Sequence, residues 1–104
     1  MEIFADRYSR QIRLTDERLK HIKNDHPEMY GELEKIKETL LIPDKIIKSK
    51  TDSEVELFYR YYEITPVTKK YLCVIVKVIN LDLFVITSYF TDTIKRGNIL
   101  WEKK

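Results

Sequence analysis

The sequence predicts an α+β fold: two N-terminal helices packed on one face of an antiparallel β-meander of four to five strands. Three observations predict it. Apolar residues recur every three or four positions between residues 15 and 42, then at a spacing of two from Lys45 onward. Two β-branched and aromatic runs, residues 71–79 and 84–90, flank a short segment holding Asn80 and Asp82, which tolerate the backbone of a tight turn. Helices precede strands rather than alternating with them, which segregates the helices to one side of a sheet.

Residues 1–8 read as a loose lead-in to a single domain spanning residues 1–104. Gln11 to Leu14 alternates weakly, as a short edge strand does. Thr15 can cap a first helix, with Asp16 and Glu17 favoured in the opening turn by the helix dipole and Leu14 stapled against Leu19. Leu19, Ile22 and His26 follow at helical spacing. Pro27 disfavours helical backbone at His26 and suits a first helical position, so a second helix is expected from Pro27. Its stripe is Met29, Leu33, Ile36 and Leu40, and Ile42-Pro43-Asp44 ends it. Strands at 45–50 and 55–62, joined by Thr51-Asp52-Ser53, lead to the hairpin. Thr91 to Gly97 reads as a turn of helix stopped by Gly97, and residues 99–101 as an edge strand.

Composition bounds the function. The 104 residues carry 43% apolar and 35% charged side chains with a net charge of +2, too little for the overall charge to argue nucleic-acid binding. A single cysteine excludes an internal disulfide and a cysteine-based zinc cage, and fits a reducing compartment. No stretch approaches the roughly 18 apolar residues of a membrane span, and no targeting signal is visible. A cytoplasmic protein without membrane contact is expected.

The candidate chemistry is sparse. His21 and His26 are the only side chains whose ordinary pKa lies near neutrality, and a histidine at a helix end more often caps or packs than reacts. With no clear third ligand, neither a metal nor a cofactor is expected. Arg60 lies among Phe58, Tyr59, Tyr61 and Tyr62, where it can snorkel from an edge strand or meet an anion on an aromatic platform. Lys77 interrupts the most apolar strand, a placement whose cost something must offset. Most other lysines read as solvated edge protection, though Lys95 and Arg96 beside Gly97 can also meet an anion.

Loop parity decides which of these share a face, because a one-residue slip reverses every side chain. A hairpin loop of three or five residues places Val78 with Phe84 and Ile86 on an apolar face. It leaves Lys77, Thr87, Tyr89 and Thr91 together on the other. An even loop mixes Lys77 into the Phe/Ile face, so the odd loop is expected.

The runs Ile12-Arg13-Leu14-Thr15-Asp16-Glu17-Arg18, His21-Ile22, His26-Pro27-Glu28-Met29, Tyr59-Arg60, Tyr71-Leu72-Cys73-Val74-Ile75-Val76-Lys77 and Thr87-Ser88-Tyr89-Phe90-Thr91-Asp92 resemble a family of small prokaryotic proteins. That family is classed with the barnase–EndoU–colicin–RelE (BECR) ribonuclease-like superfamily. The resemblance spans about residues 11–101 and implies a barnase-like fold with the site on the sheet face away from the helices. It also implies a toxin-like endoribonuclease that uses no metal. In that chemistry the ribose 2′-hydroxyl attacks the adjacent phosphate. The resemblance admits RNA and a cognate inhibitor protein as partners, and an inactive module binding RNA or protein as the alternative. On this basis His26, then His21, would transfer protons, and Arg60 and Lys77 would hold the phosphate. Thr87 and Tyr89 would supply hydrogen bonds, Tyr59 a stacking platform, and Thr91 and Lys95 further substrate contacts. The glutamate–arginine–histidine order of barnase has no match in this chain.

Overall fold

The computed structural model describes all 104 residues. Its elements run β1 (Glu2–Ala5), β2 (Gln11–Leu14), α1 (Asp16–Asp25), a single 3-10 turn (Pro27–Met29), α2 (Leu33–Leu41), β3 (Lys45–Lys48), β4 (Val55–Tyr61), β5 (Tyr71–Ile79), β6 (Asp82–Thr91) and β7 (Asn98–Glu102). The seven strands form one mixed sheet in the order β1-β2-β6-β5-β4-β3-β7. This corrects the expected four- to five-stranded meander. The antiparallel run β3 to β6 lies at the centre, but β2 joins it parallel to β6 and β7 joins it beyond β3. Residues 1–8 are likewise no loose lead-in. Residues 2–5 form β1, paired antiparallel with β2, and Phe4 is buried in the main core.

Local signals explain the helices. Thr15 caps α1 by accepting the Arg18 N–H at 3.1 Å, and Ile22 is its buried residue. The second helix does not begin at Pro27. A 3-10 turn runs there, and the chain then breaks at Gly31, whose φ of +78° is left-handed backbone that glycine adopts without steric cost. The apolar stripe survives the break, since Met29, Ile36 and Leu40 are all buried.

The hairpin corrects the parity expectation. Ile79 pairs with Asp82, so the loop is only Asn80-Leu81, with Asn80 at a φ of 54°. Lys77 faces Phe84, Val76 faces Val85 and Val78 faces Leu83, as an even loop requires. Between Ile75 and Val76 the register then shifts, with Ile75 opposite Thr87 and Ile86 the extra residue of a β-bulge. The bulge restores Thr87, Tyr89 and Thr91 to the side of Lys77. Leu83 and Val85, rather than Phe84 and Ile86, join Leu72, Val74, Val76 and Phe90 beneath the helices.

The two sheet faces are covered differently. Helices and the 3-10 turn bury one face around Ile22, Met29, Ile36 and Leu40 against Phe58, Leu72 and Val74. On the other, Ile47, Leu57, Tyr59 and Cys73 form a smaller cluster on which Ile94 packs. Ile94 belongs to residues 92–97, a strap without helix between β6 and β7, so the expected helical turn is absent. Gly97 serves another purpose. A Cβ at this position would overlap the Lys48 carbonyl oxygen and lie 2.6 Å from Ile47 Cγ2. Glycine lets the strap press against β3. No helix of the fold is long and apolar enough to cross a membrane.

Candidate functional site

The helix-free face carries a continuous cross-strand row. Lys45 on β3 pairs with Tyr59 on β4, Tyr59 with Cys73 on β5, and Cys73 with Tyr89 on β6. Beyond Tyr89 the row meets His26, whose ring centroid lies 5.3 Å from that of Tyr89 at a 30° tilt. The junction between α1 and the 3-10 turn makes this contact possible. Beta-2 pairs with β6 only at Leu83 and Phe84, so the far half of β6 has an open edge around which His26 reaches. His26 Nδ1 also lies 3.9 Å from a Glu28 carboxylate oxygen.

Burial sets the chemistry of the row. It pushes the Cys73 thiol up to about 12, against the neighbouring Tyr59 and Tyr89 hydroxyls, which act to lower it. Burial likewise pushes the Tyr89 phenol up to about 12 and that of Tyr59 higher still. Near neutral pH these groups hold their protons and can donate hydrogen bonds. Tyr59 has no exposed surface, and its hydroxyl accepts the backbone N–H of Lys95 at 3.1 Å. It therefore anchors the strap, which corrects its expected role as an open stacking platform.

The other expected site residues divide by face. Thr87, Tyr89, Thr91 and Lys77 share the helix-free side, with Thr87 two residues from Tyr89 and half-buried. Thr91 accepts the Thr93 N–H at 3.1 Å, which shapes the start of the strap. Lys95 lies exposed on the strap itself. Arg60 does not join them. It follows Phe58 on the helix-covered side, donates to the Ile42 carbonyl at 2.7 Å and to Glu38 Oε1 at 3.2 Å, and lies over the Tyr62 ring. Arg60 and Lys77 therefore cannot hold one phosphate between them, because the sheet separates them. His21 is exposed on α1, 3.8 Å from Glu17, and makes no contact with the row.

Lys77 has its own partners, which periodicity could not show. Its Nζ donates to Asp52 Oδ2 at 2.7 Å and lies 3.5 Å from Glu54 Oε1. The Asp52 bond holds the ammonium above the usual lysine range, and the same bond, with the Glu54 N–H, holds Asp52 below the usual carboxylate range. The turn before β4 thus offsets the lysine in the apolar strand.

Two adjoining hollows flank the strap, of about 400 and 410 Å³. Lys50, Lys95 and Arg96 line both. By residue type Lys50 is one more solvated edge lysine, and only the fold brings it to the strap. No three His, Cys, Asp or Glu side chains come together as a metal ion needs. Comparison with protein-family models, with curated proteins and with solved structures finds no match for this chain.

Proposed function

We propose that the protein is a cytoplasmic, toxin-like endoribonuclease that acts on RNA laid along the helix-free face, with His26 moving the proton. One observation carries the reading: the His26 imidazole packs on Tyr89 at the half-buried end of the row, 5.3 Å between ring centroids. There an imidazole, which can accept or donate a proton through its ring nitrogens, meets a phenol that burial keeps protonated. The runs resembling the BECR ribonuclease-like superfamily supply the reaction class, and with it a cognate inhibitor as a partner.

In this reaction the ribose 2′-hydroxyl attacks the adjacent phosphorus as the P–O5′ bond breaks. The products are a 2′,3′-cyclic phosphate and a 5′-hydroxyl. His26 takes or gives the proton, while Tyr89 and Thr87 donate hydrogen bonds to the phosphorane oxygens. No step requires a metal. The test is cleavage of end-labelled RNA in EDTA with analysis of the product ends. Wild type should give cyclic phosphate, and His26→Ala should cleave roughly 10²–10⁴-fold more slowly at an unchanged thermal midpoint. Full-rate cleavage by the folded variant would remove His26 from the chemistry.

A second reading, an inactive module that binds RNA or a protein partner, is favoured by the state of the two cations. Arg60 is engaged by Glu38 on the covered face and Lys77 by Asp52 and Glu54. On that reading wild type binds but releases no new ends.

A further inference from the structure

We infer that the strap and the end of β3 form a phosphate seat for an RNA strand, built from Lys50, Lys95 and Arg96 and remote from the bond that is cut. The inference rests on the RNA reading of the helix-free face and adds where a second phosphate sits.

Three observations lead to it. The side chains of Lys50, Lys95 and Arg96 line both hollows beside the strap, yet none of the three lies within 4.0 Å of a carboxylate, in contrast to Lys45, which pairs with Glu102, and Lys77, which pairs with Asp52. Like charges gathered around one groove repel one another, and an anion relieves that repulsion. The only carboxylate lining either hollow is Asp52, already bonded to Lys77 at 2.7 Å.

The donors also suit phosphate. Ser49 and Thr51 line the second hollow together with Lys50, Lys95 and Arg96, and their two hydroxyls lie 3.2 Å apart. A tetrahedral oxyanion can accept from all three donor types at once. Gly97 keeps the strap close to β3, so Lys95 and Arg96 are held near Lys50 rather than left on a free loop.

Finally, the seat is tied to the row that ends at His26. The Lys95 N–H binds the Tyr59 hydroxyl, and Tyr59 is joined through Cys73 to Tyr89. With neighbouring strands about 4.8 Å apart, β4 and β6 are separated by roughly 10 Å. A phosphate on the strap is therefore not the one His26 serves. It contributes to binding and not to the chemical step.

The experiment compares wild type with the double variant Lys50→Ala, Arg96→Ala, both checked for an unchanged thermal midpoint. Each is titrated with a fluorescent single-stranded 2′-O-methyl RNA oligonucleotide, whose blocked 2′-oxygen prevents cleavage, over a range of salt, with inorganic phosphate, and with a poly-glutamate peptide of matched charge. Backbone amide shifts of residues 94–97 locate the binding. RNA should move those amides, and the double variant should bind RNA at least tenfold more weakly. Its dependence of log K on log salt should be shallower by about 0.7 per lost phosphate contact. Single-turnover cleavage at saturating RNA should stay at the wild-type rate. Unchanged affinity and slope in the double variant, with wild type still binding, overturn the seat alone. Failure of wild type to bind RNA overturns both readings. Poly-glutamate binding tighter than RNA assigns the groove to an acidic protein instead, and inorganic phosphate binding as tightly as RNA reduces it to a small-anion site.

Discussion

Cys73 shows what placement does to a reactive side chain. It sits in the middle of β5 with no exposed surface, between Tyr59 and Tyr89 and beneath the strap. Burial raises its thiol from an ordinary 9.0 to about 12, so the folded protein keeps it neutral. Thiol labelling at pH 8 should be slower than in the unfolded chain by roughly 10³-fold or more, since it waits on opening of a fold worth about 5–15 kcal/mol. The pH dependence follows in sign. Between 9.0 and about 12 the unfolded chain loses this proton and the folded chain keeps it, so stability falls as pH rises through that window. Tyr89 acts in the same direction from an ordinary 10.0 to about 12. Titrating the thermal midpoint from pH 8 to 11, with Cys73→Ala as control, checks this. Rapid labelling of the native protein would show that the strap leaves the thiol open.

At the scale of elements, the strap and the β5–β6 bulge organise the helix-free face. The strap touches the sheet through Ile94, the Lys95 N–H and Gly97, all within four residues. Gly97→Ala forces a methyl into the Lys48 carbonyl and should cost about 1–3 kcal/mol, as overpacking does. Denaturant midpoints on the two proteins read that loss, and an unchanged midpoint would mean that the strap has room to lift. The bulge matters differently. It lets a two-residue turn coexist with a face on which Lys77, Thr87, Tyr89 and Thr91 all stand. Without the extra residue at Ile86, an even loop would send those hydroxyls under the helices.

At the scale of the molecule, the N-terminal hairpin ties distant parts of the sheet together. Arg10, in the β1–β2 turn, donates to Asp6 at 2.7 Å and to Glu56 on β4 at 2.7 Å. The Arg7 guanidinium lies 4.1 Å from the Trp101 ring centroid on β7, at the opposite edge of the sheet order. Between them Phe4 enters the main core. Phe4→Ala should therefore cost about 3–5 kcal/mol, the range of a buried phenylalanine truncated to alanine. A dispensable lead-in would show no change, so chemical denaturation of this one variant separates the two descriptions.

Local chemistry alone determined a good part of this protein. Thr15 capping the Arg18 N–H, Pro27 ending the first helix at His26, the stripe of Met29, Ile36 and Leu40, and the paired strands β5 and β6 all follow from interactions a few residues long. Lys77 does share a face with Thr87 and Tyr89, but through an even loop and a bulge at Ile86, neither of which residue type reveals, rather than through the odd loop expected. Tertiary structure decided the rest. Edge strands as short as β1 and β7 have too little local signal to reveal a partner, and β2 lies parallel to β6 through contacts that span about seventy residues of chain. Which face Arg60 takes, which carboxylates hold Lys77, and whether Tyr59 is open or covered depend on such distant segments. A side chain's residue type sets what it can do, but burial and charge partners set what it does, and those come only from packing.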